Sequence, residues 1–139
     1  MTEVQQTLIL IKPDGVRRNL IGEIIRRIEQ KGYVVADIKK VSATRALLAA
    51  HYAEHEGKPF YEPLVDFMLS GEIVAIRAEG HRVIEGFRSL AGATDPTTAA
   101  PGTIRGDLGR DWGLKVAQNL VHGSDSPESA ARELALWFA

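Results

Sequence analysis

The chain has 139 residues, of which 45% are hydrophobic and 25% charged, and its formal net charge is −1. This composition is typical of one ordinary globular domain, and we expect a single domain over residues 1–139. The near-neutral charge gives no reason to expect nucleic-acid binding, and the lack of cysteine excludes disulfides and thiolate zinc sites. The apolar run before Lys12 is too short for a signal peptide or a membrane helix, so we predict a cytoplasmic protein.

Strand and helix patterns alternate in the first half of the chain. The apolar run at residues 7–11 predicts a central strand that stops at a turn over residues 12–15. Residues 20–31 place their apolar side chains on one face, which predicts an amphipathic helix. Residues 33–41 are rich in β-branched side chains and predict a second strand. Thr44 caps a predicted helix that continues to His55, and a further helix is predicted over residues 60–69.

The second half of the chain contains one long irregular segment. Residues 72–78 predict a strand and residues 80–90 a helix, but from 91 to about 114 the pattern dissolves into glycines and prolines, which is usual for functional loops. Residues 119–122 predict a short strand, and Ser126 begins a last helix that runs to about Phe138. This order of elements favours an α/β chain, and within that class an α+β sandwich. Its expected core is ferredoxin-like split-βαβ, with a four-stranded antiparallel sheet covered by helices.

His122 is a candidate for chemistry because of its position. It ends a predicted strand just before a helix N-terminus, a position that favours anions such as phosphate. A neutral imidazole is a nucleophile near pH 7 and can form a phosphoramidate, provided that a partner on its other nitrogen fixes the tautomer. Glu133, in the last helix, is the candidate partner. Taken alone, however, the pattern favours a turn histidine without a chemical role.

Three cations stand apart from any run of charge, namely Lys12, Arg88 and Arg105. Such cations can converge on a polyphosphate, or they can remain separate and solvated. Phe60, after a Lys-Pro pair, either packs in the core or stacks on a base. The sequence contains neither a P-loop nor a dinucleotide fingerprint, so a nucleotide would have to be held without the common phosphate cradles.

The segment HYAEH, which runs from His51 to His55, matches the H-x-x-E-H pattern of inverted zinc peptidases. Such a site needs a third protein ligand and room for a peptide cleft. A partly exposed helix face is the favoured interpretation, and stoichiometric zinc in the purified protein would favour the metallopeptidase.

Six segments of the chain together resemble nucleoside diphosphate kinases: LILIKPDGV, IGEIIRRIEQKG, HYAEHEGKPFY, PGTIRGD, NLVHGSDSPESA and ELALWF. The resemblance extends from about Thr7 to Phe138, and the motif around His122 is highly specific. It implies an enzyme that transfers the γ-phosphoryl group of a nucleoside triphosphate to a nucleoside diphosphate. A phosphohistidine intermediate, ping-pong kinetics and broad base tolerance are implied with it.

The resemblance also implies a role for each matching residue. His122 would be the nucleophile, Glu133 would accept a hydrogen bond from its other nitrogen, directly or through Ser124, and Tyr52 would orient Lys12 or the histidine. The implied nucleotide contacts are Lys12, Arg88, Thr94 and Arg105 for the phosphates, Asn119 with Lys12 for the ribose, and Phe60 for the base, near Leu64 and Val116. Mg²⁺ would be carried by the nucleotide phosphates, with no dedicated metal site, and the assembly would be a homo-tetramer or homo-hexamer.

One segment departs from the family pattern. Residues 108–118 are longer than the usual spacing, which leaves the local path and the role of Val116 open. The alternative function is a nucleotide-responsive regulator or a histidine phosphocarrier that uses the same pocket without efficient turnover. The intact set of matching residues argues against that alternative, and no membrane or specific nucleic-acid partner is expected.

Overall fold

A computed structural model describes residues 3–139, which form four β-strands and seven α-helices. The strands are β1 (Val4–Ile11), β2 (Val34–Val41), β3 (Ile73–His81) and β4 (Val121–Gly123). The helices are α1 (Pro13–Arg17), α2 (Ile21–Lys31), α3 (Arg45–His51), α4 (Tyr61–Leu69), α5 (Val83–Ala91), α6 (Ile104–Leu108) and α7 (Pro127–Trp137), and a 3₁₀ turn covers Ala53–His55.

The strands form one sheet in the order β2-β3-β1-β4, and every neighbouring pair is antiparallel. β3 therefore lies between β1 and β2, and β1 lies between β3 and β4. This is the split-βαβ arrangement of a ferredoxin-like fold. The predicted α+β sandwich with a four-stranded antiparallel sheet is confirmed.

The central strand β1 is buried on both faces because helices cover both sides of the sheet. Leu8 and Leu10 pack in one cluster with side chains of α3, α4 and α7. Ile9 and Ile11, which point to the opposite face, pack with side chains of α2 and α5. This double burial explains why the strand is a continuous apolar run, and it fixes the strand end that carries Lys12.

Two predicted boundaries are wrong near β3 and α1. The helix predicted over residues 80–90 begins only at Val83, because β3 continues to His81 in register with Val4 of β1. Arg82 then takes a left-handed φ of 54°, which ends the strand. The turn predicted over residues 12–15 opens the short helix α1, with Pro13 in its first turn, where a missing N–H removes no helical hydrogen bond.

Two more predictions are wrong in the second half of the chain. The irregular segment from residue 91 contains α6, whose N-cap Thr103 accepts a hydrogen bond from the Gly106 N–H. The strand predicted over residues 119–122 is displaced to Val121–Gly123, because Leu120 has a φ of 73° and leaves the extended conformation. No helix between residues 3 and 139 has both the length and the apolar character needed to cross a membrane.

Candidate active site

A cavity of about 320 Å³ lies where β1, β4 and the irregular segment after α5 meet. His51, Glu54 and Asp125 are among its lining residues. Eight of the residues predicted from the sequence line it, namely Lys12, Tyr52, Arg88, Thr94, Arg105, Asn119, His122 and Glu133, whereas Phe60, Leu64, Val116 and Ser124 do not. Residues that are far apart in the sequence therefore converge on one space.

The imidazole of His122 is held by an acid from α7. Its Nε2 donates to Oε1 of Glu133 at 2.9 Å, and the Ser124 hydroxyl donates to the same oxygen at 2.7 Å. The contact to Glu133 is therefore direct, with Ser124 as a second donor. Because a carboxylate only accepts hydrogen bonds, the ring proton lies on Nε2 and the Nδ1 lone pair is free.

Glu133 stays ionised although it is buried, with an exposed fraction of 6%. Burial alone would raise its pKa, but the hydrogen bonds from His122 and Ser124 help to outweigh burial and lower the pKa below its ordinary value. Charge-assisted hydrogen bonds of this kind are about twice as strong as neutral ones. The acid can therefore orient His122 and stabilise positive charge on its ring.

Lys12 directly follows β1 and is buried, with an exposed fraction of 9%. Burial, together with the nearby charge of Arg105, lowers its pKa to about 8, and Asp14 partly opposes that shift. Its Nζ donates to Oδ1 of Asn119 at 2.9 Å. A buried ammonium with one neutral partner is a strong site for an anion.

Arg105 reaches the cavity from α6 and binds the backbone around β4. Its Nε donates to the Asn119 carbonyl at 3.2 Å, and its two terminal nitrogens donate to the carbonyls of Val121 and Gly92 at 2.7 and 2.9 Å. Burial, followed by the charge of Arg88, lowers its pKa to about 10. A guanidinium has five N–H groups, so donors remain for a phosphate after these three bonds.

The rim of the cavity is more open than its floor. Arg88 on α5 is exposed, and Thr94 is exposed in the segment that follows α5. The Thr94 carbonyl accepts from the amide nitrogen of buried Asn119 at 3.0 Å. Both rim residues are therefore free to contact a ligand that enters from solvent.

His51 forms the wall beside His122, and sequence reasoning gave it no place in this site. Its ring lies edge-on to that of His122, with centroids 4.8 Å apart, and its Nδ1 accepts from the Trp137 indole N–H at 3.0 Å. Burial, and then the neighbouring His122, lowers the pKa of His51 to about 3. Tyr52 is buried beside it, and burial raises the pKa of its phenol.

The structure argues against a zinc peptidase site at HYAEH. His51 lies within 4.8 Å of potential ligand atoms of His122 and Glu133, whereas His55 faces Lys58 and Phe60. The Trp137 indole can only donate a hydrogen bond, so the Nδ1 lone pair of His51 is used to accept it. The ring proton of His51 therefore lies on Nε2, and neither ring nitrogen has a lone pair left for a metal. The two histidines of the pattern therefore do not share a metal.

Phe60 stands apart from the cavity, at the N-terminal end of α4. Its ring is 45% exposed and lies 5.3 Å from that of His55 between centroids. Leu64, on the next turn of the helix, and Val116 are half-buried against the cluster on the same face of the sheet. An exposed aromatic ring is suited to stacking on a flat ligand.

The chain was compared with known proteins. The family model described as nucleoside diphosphate kinase matches residues 5–139. The chain is 61% identical to the nucleoside diphosphate kinase of Mycolicibacterium vanbaalenii and 58% identical to that of Rubrobacter xylanophilus, covering 99% and 97% of this chain and 98% of each relative. The chain belongs to the nucleoside diphosphate kinase family.

Solved structures of the same family have the same fold. The nucleoside diphosphate kinase of Halobacterium salinarum in complex with CDP has a TM-score of 0.91 at 45% identity, covering 99% of this chain and 88% of that one. The transition-state mimic of the Borrelia burgdorferi enzyme with vanadate and ADP has a TM-score of 0.91 at 33% identity, covering 98% of this chain and 88% of that one. This chain is thus a nucleotide-handling kinase.

Within this nucleoside diphosphate kinase, sequence reasoning missed two buried groups near the cavity. His51 was considered only as a zinc ligand, although its position next to Tyr52 was a usable signal. Asp14 was treated as a turn residue, yet it is only 2% exposed and lies within reach of β4. The signal in the sequence was its place in the Lys-Pro-Asp-Gly segment directly after a strongly apolar strand.

Proposed function

We propose that this cavity is the site where the chain, as a nucleoside diphosphate kinase, transfers the γ-phosphoryl group, and that His122 Nδ1 is the nucleophile. The observation that carries the proposal is the hydrogen bond from His122 Nε2 to Glu133. It fixes the proton on one nitrogen and leaves the other with a free lone pair inside a cavity lined with cations.

The reaction proceeds in two mirrored halves. The Nδ1 lone pair forms a bond to the γ-phosphorus while the bond from that phosphorus to the bridging oxygen breaks, and the nucleoside diphosphate leaves with the bonding electrons. A second diphosphate then attacks the phosphohistidine and regenerates the imidazole. The proton stays on Nε2 throughout, where Glu133 stabilises the positive charge of the phosphorylated ring.

The cations stabilise the charge that develops on the phosphate oxygens. Lys12, Arg88 and Arg105 are proposed to bind those oxygens together with Thr94, because phosphoryl transfer requires mainly positioning and charge stabilisation. Asn119, whose amide already bridges Lys12 and Thr94, is proposed to contact the ribose with Lys12. Tyr52 would hold the wall beside His122 and Lys12.

Phe60 is proposed as the platform for the base, with Leu64 and Val116 at the sides of the platform. Stacking on one aromatic ring tolerates all bases, because every base has a π-face. The phosphate groups, which all nucleotides share, would then supply most of the binding energy. This division accounts for the broad base tolerance of the reaction.

Magnesium is proposed to enter as part of the substrate. Among the residues that the structure describes, the acids lining the cavity are Glu54, Asp125 and Glu133, and the last of these is bound to His122 and Ser124. Mg²⁺ needs near-octahedral oxygen ligands, which nucleotide phosphates and water supply more readily than this set. When bound, it neutralises phosphate charge.

The edge strand β2 supports the proposal of a homo-oligomer. β2 pairs only with β3 among residues 3–139, so its other edge is open, and Val34 and Ile38 are 55% and 44% exposed. Open apolar edges favour pairing with another strand. A dimer through β2 is therefore the proposed building unit, and sedimentation of the wild type beside Ile38→Lys tests it.

The single-domain boundary and the cytoplasmic location remain predictions.

Trapping of the phosphoenzyme tests the proposed function. The protein is mixed with Mg²⁺ and γ-labelled ATP, and then chased with GDP or UDP. The wild type and the matched variant His81→Ala, which removes an exposed histidine at the end of β3, are expected to carry acid-labile label that moves rapidly to GTP or UTP. His122→Ala should fold but carry none.

Two other labelling outcomes would contradict the proposed kinase mechanism. Label that forms but does not leave would support the phosphocarrier or regulator. Labelling of His122→Ala to the wild-type level would refute the assignment of the nucleophile.

A further inference from the structure

The backbone just before β4 makes an uncommon turn. The N–H of Val121 donates to the carbonyl of Asn119 at 2.8 Å, and Leu120 between them has a φ of 73°. These features define a γ-turn of the rarer hand, which is strained for any residue other than glycine. The turn separates Asn119, at the cavity, from His122 on β4, and its geometry sets how these two side chains sit relative to each other.

A strained turn persists only when its surroundings hold it. The Leu120 carbonyl accepts from the Lys12 N–H at 2.8 Å, and the carbonyls of Asn119 and Val121 accept from Arg105. The Leu120 N–H donates to Oδ2 of Asp14 at 3.1 Å. Leu120 itself is fully buried, so no solvent is available to replace that acceptor.

The Asp14 carboxyl is buried near Lys12, and its charge partly opposes the lowering of that lysine's pKa by burial. It is 2% exposed, and its second oxygen, Oδ1, has no hydrogen-bond partner among residues 3–139. Burial raises the pKa of this carboxyl, although the charge of Lys12 and the bond from Leu120 oppose the shift. A polar group buried in this way is costly unless it is hydrogen-bonded, and Oδ2 is bound to the Leu120 N–H.

We infer that Asp14 is a positioning residue, whose Oδ2 holds the γ-turn at Leu120 and thereby sets His122 and Asn119 for phosphoryl transfer. The inference rests on the proposed role of His122. Asp14 does not touch the substrate in this scheme; it acts through the backbone. Losing its acceptor lets Leu120 relax towards an extended conformation and moves both side chains away from the nucleotide.

The test is the rate constant for phosphorylation of His122 at saturating Mg²⁺ and γ-labelled ATP, followed by rapid quench. Asp14→Ala should lower this rate constant by about a hundredfold, the scale on which a misplacement near 1 Å acts. Asp14→Asn keeps an acceptor oxygen and should lose no more than about fivefold. A fraction of unfolded protein lowers the amplitude of labelling, not this rate constant, so a merely structural role would leave it unchanged.

Thr7→Val is the matched control, because Thr7 is fully buried and its hydroxyl also lacks a partner within residues 3–139. Its rate constant should equal that of the wild type. A wild-type rate in Asp14→Ala, or equal losses in Asp14→Asn and Asp14→Ala, would overturn the inference while leaving His122 labelled. Failure of the wild type to label would instead refute the proposed function.

A measurement on the wild type covers the case in which Asp14→Ala does not fold. Hydrogen exchange at the Leu120 amide should be as slow as at the amides of Ile9 and Ile11 in β1. Exchange as fast as in an exposed loop would show that Asp14 does not hold the turn.

Discussion

Lys12 should take up a proton when a nucleotide binds. Burial and the charge of Arg105 lower its pKa to about 8, so at pH 8 about half of the free chains carry a neutral Lys12. Phosphate charge beside the amine restores the ammonium. The expected uptake is therefore about half a proton per site at pH 8, rising towards one at pH 9 and falling to about a tenth at pH 7.

Calorimetric titration with ADP in two buffers of different ionisation enthalpy measures this uptake directly. Nucleotide phosphates titrate near pH 6 and contribute little at pH 8. Lys12→Arg keeps a charge that does not titrate in this range and should abolish the uptake. Lys40→Arg, at an exposed lysine paired with Glu72, should leave it unchanged.

The ionisation of Lys12 should also make kcat/KM depend on pH. Below pH 8 the free enzyme carries the ammonium, and above it the charge is lost, so kcat/KM should fall as pH rises through about 8. The bound nucleotide holds the proton, and kcat should therefore decline only at higher pH. An uptake that is absent in the wild type, or unchanged in Lys12→Arg, would show that Lys12 does not gain a proton when the nucleotide binds.

Three further substitutions test other parts of the site. Glu133→Gln keeps the volume and an acceptor but removes the charge behind His122, and should slow phosphorylation in single-turnover experiments by about 10- to 100-fold. Phe60→Ala should raise KM by about 5- to 150-fold for ADP and CDP alike, with kcat little changed, because base stacking contributes about 1–3 kcal/mol. Trp137→Phe leaves Nδ1 of His51 without its donor, and should lower the free energy of unfolding in urea by about 1–3 kcal/mol.

Each of these expectations has an outcome that contradicts it. An unchanged rate in Glu133→Gln would mean that the charge is unimportant, and a loss confined to one base in Phe60→Ala would mean that the base is read specifically. Trp112→Phe, at a ring that is 45% exposed, is the control for Trp137→Phe and should change stability by no more than about 0.5 kcal/mol.

The fold could be predicted because its signals are local. β1 is a continuous apolar run, α2 carries its apolar residues on one face, and the order of the elements leaves few topologies. Two of the boundaries failed where single residues adopt a positive φ, at Arg82 and Leu120. Neither residue type favours that conformation, so only the tertiary contacts that hold them could reveal it.

The candidate site was less accessible to sequence reasoning. Lys12 follows β1, Arg88 lies on α5 and Arg105 lies on α6, and only folding brings the three together. His51 and His55 looked like neighbours on one helix face, but α3 ends at His51 and a 3₁₀ turn follows, which sends the two rings in different directions. The family resemblance supplied the set that spacing alone could not.

The exposure of Phe60 contrasts with the burial of Lys12, Asn119 and Glu133. In the proposed site, Lys12 and Asn119, which would bind the phosphates and the ribose, are buried, whereas Phe60, which would stack on the base, is half-exposed at the surface. Surface positions tolerate substitution, so a substitution at the base platform can change the base preference without changing the phosphoryl-transfer step. A change at the buried residues, in contrast, alters turnover of every nucleotide at once, and selection acts on it accordingly.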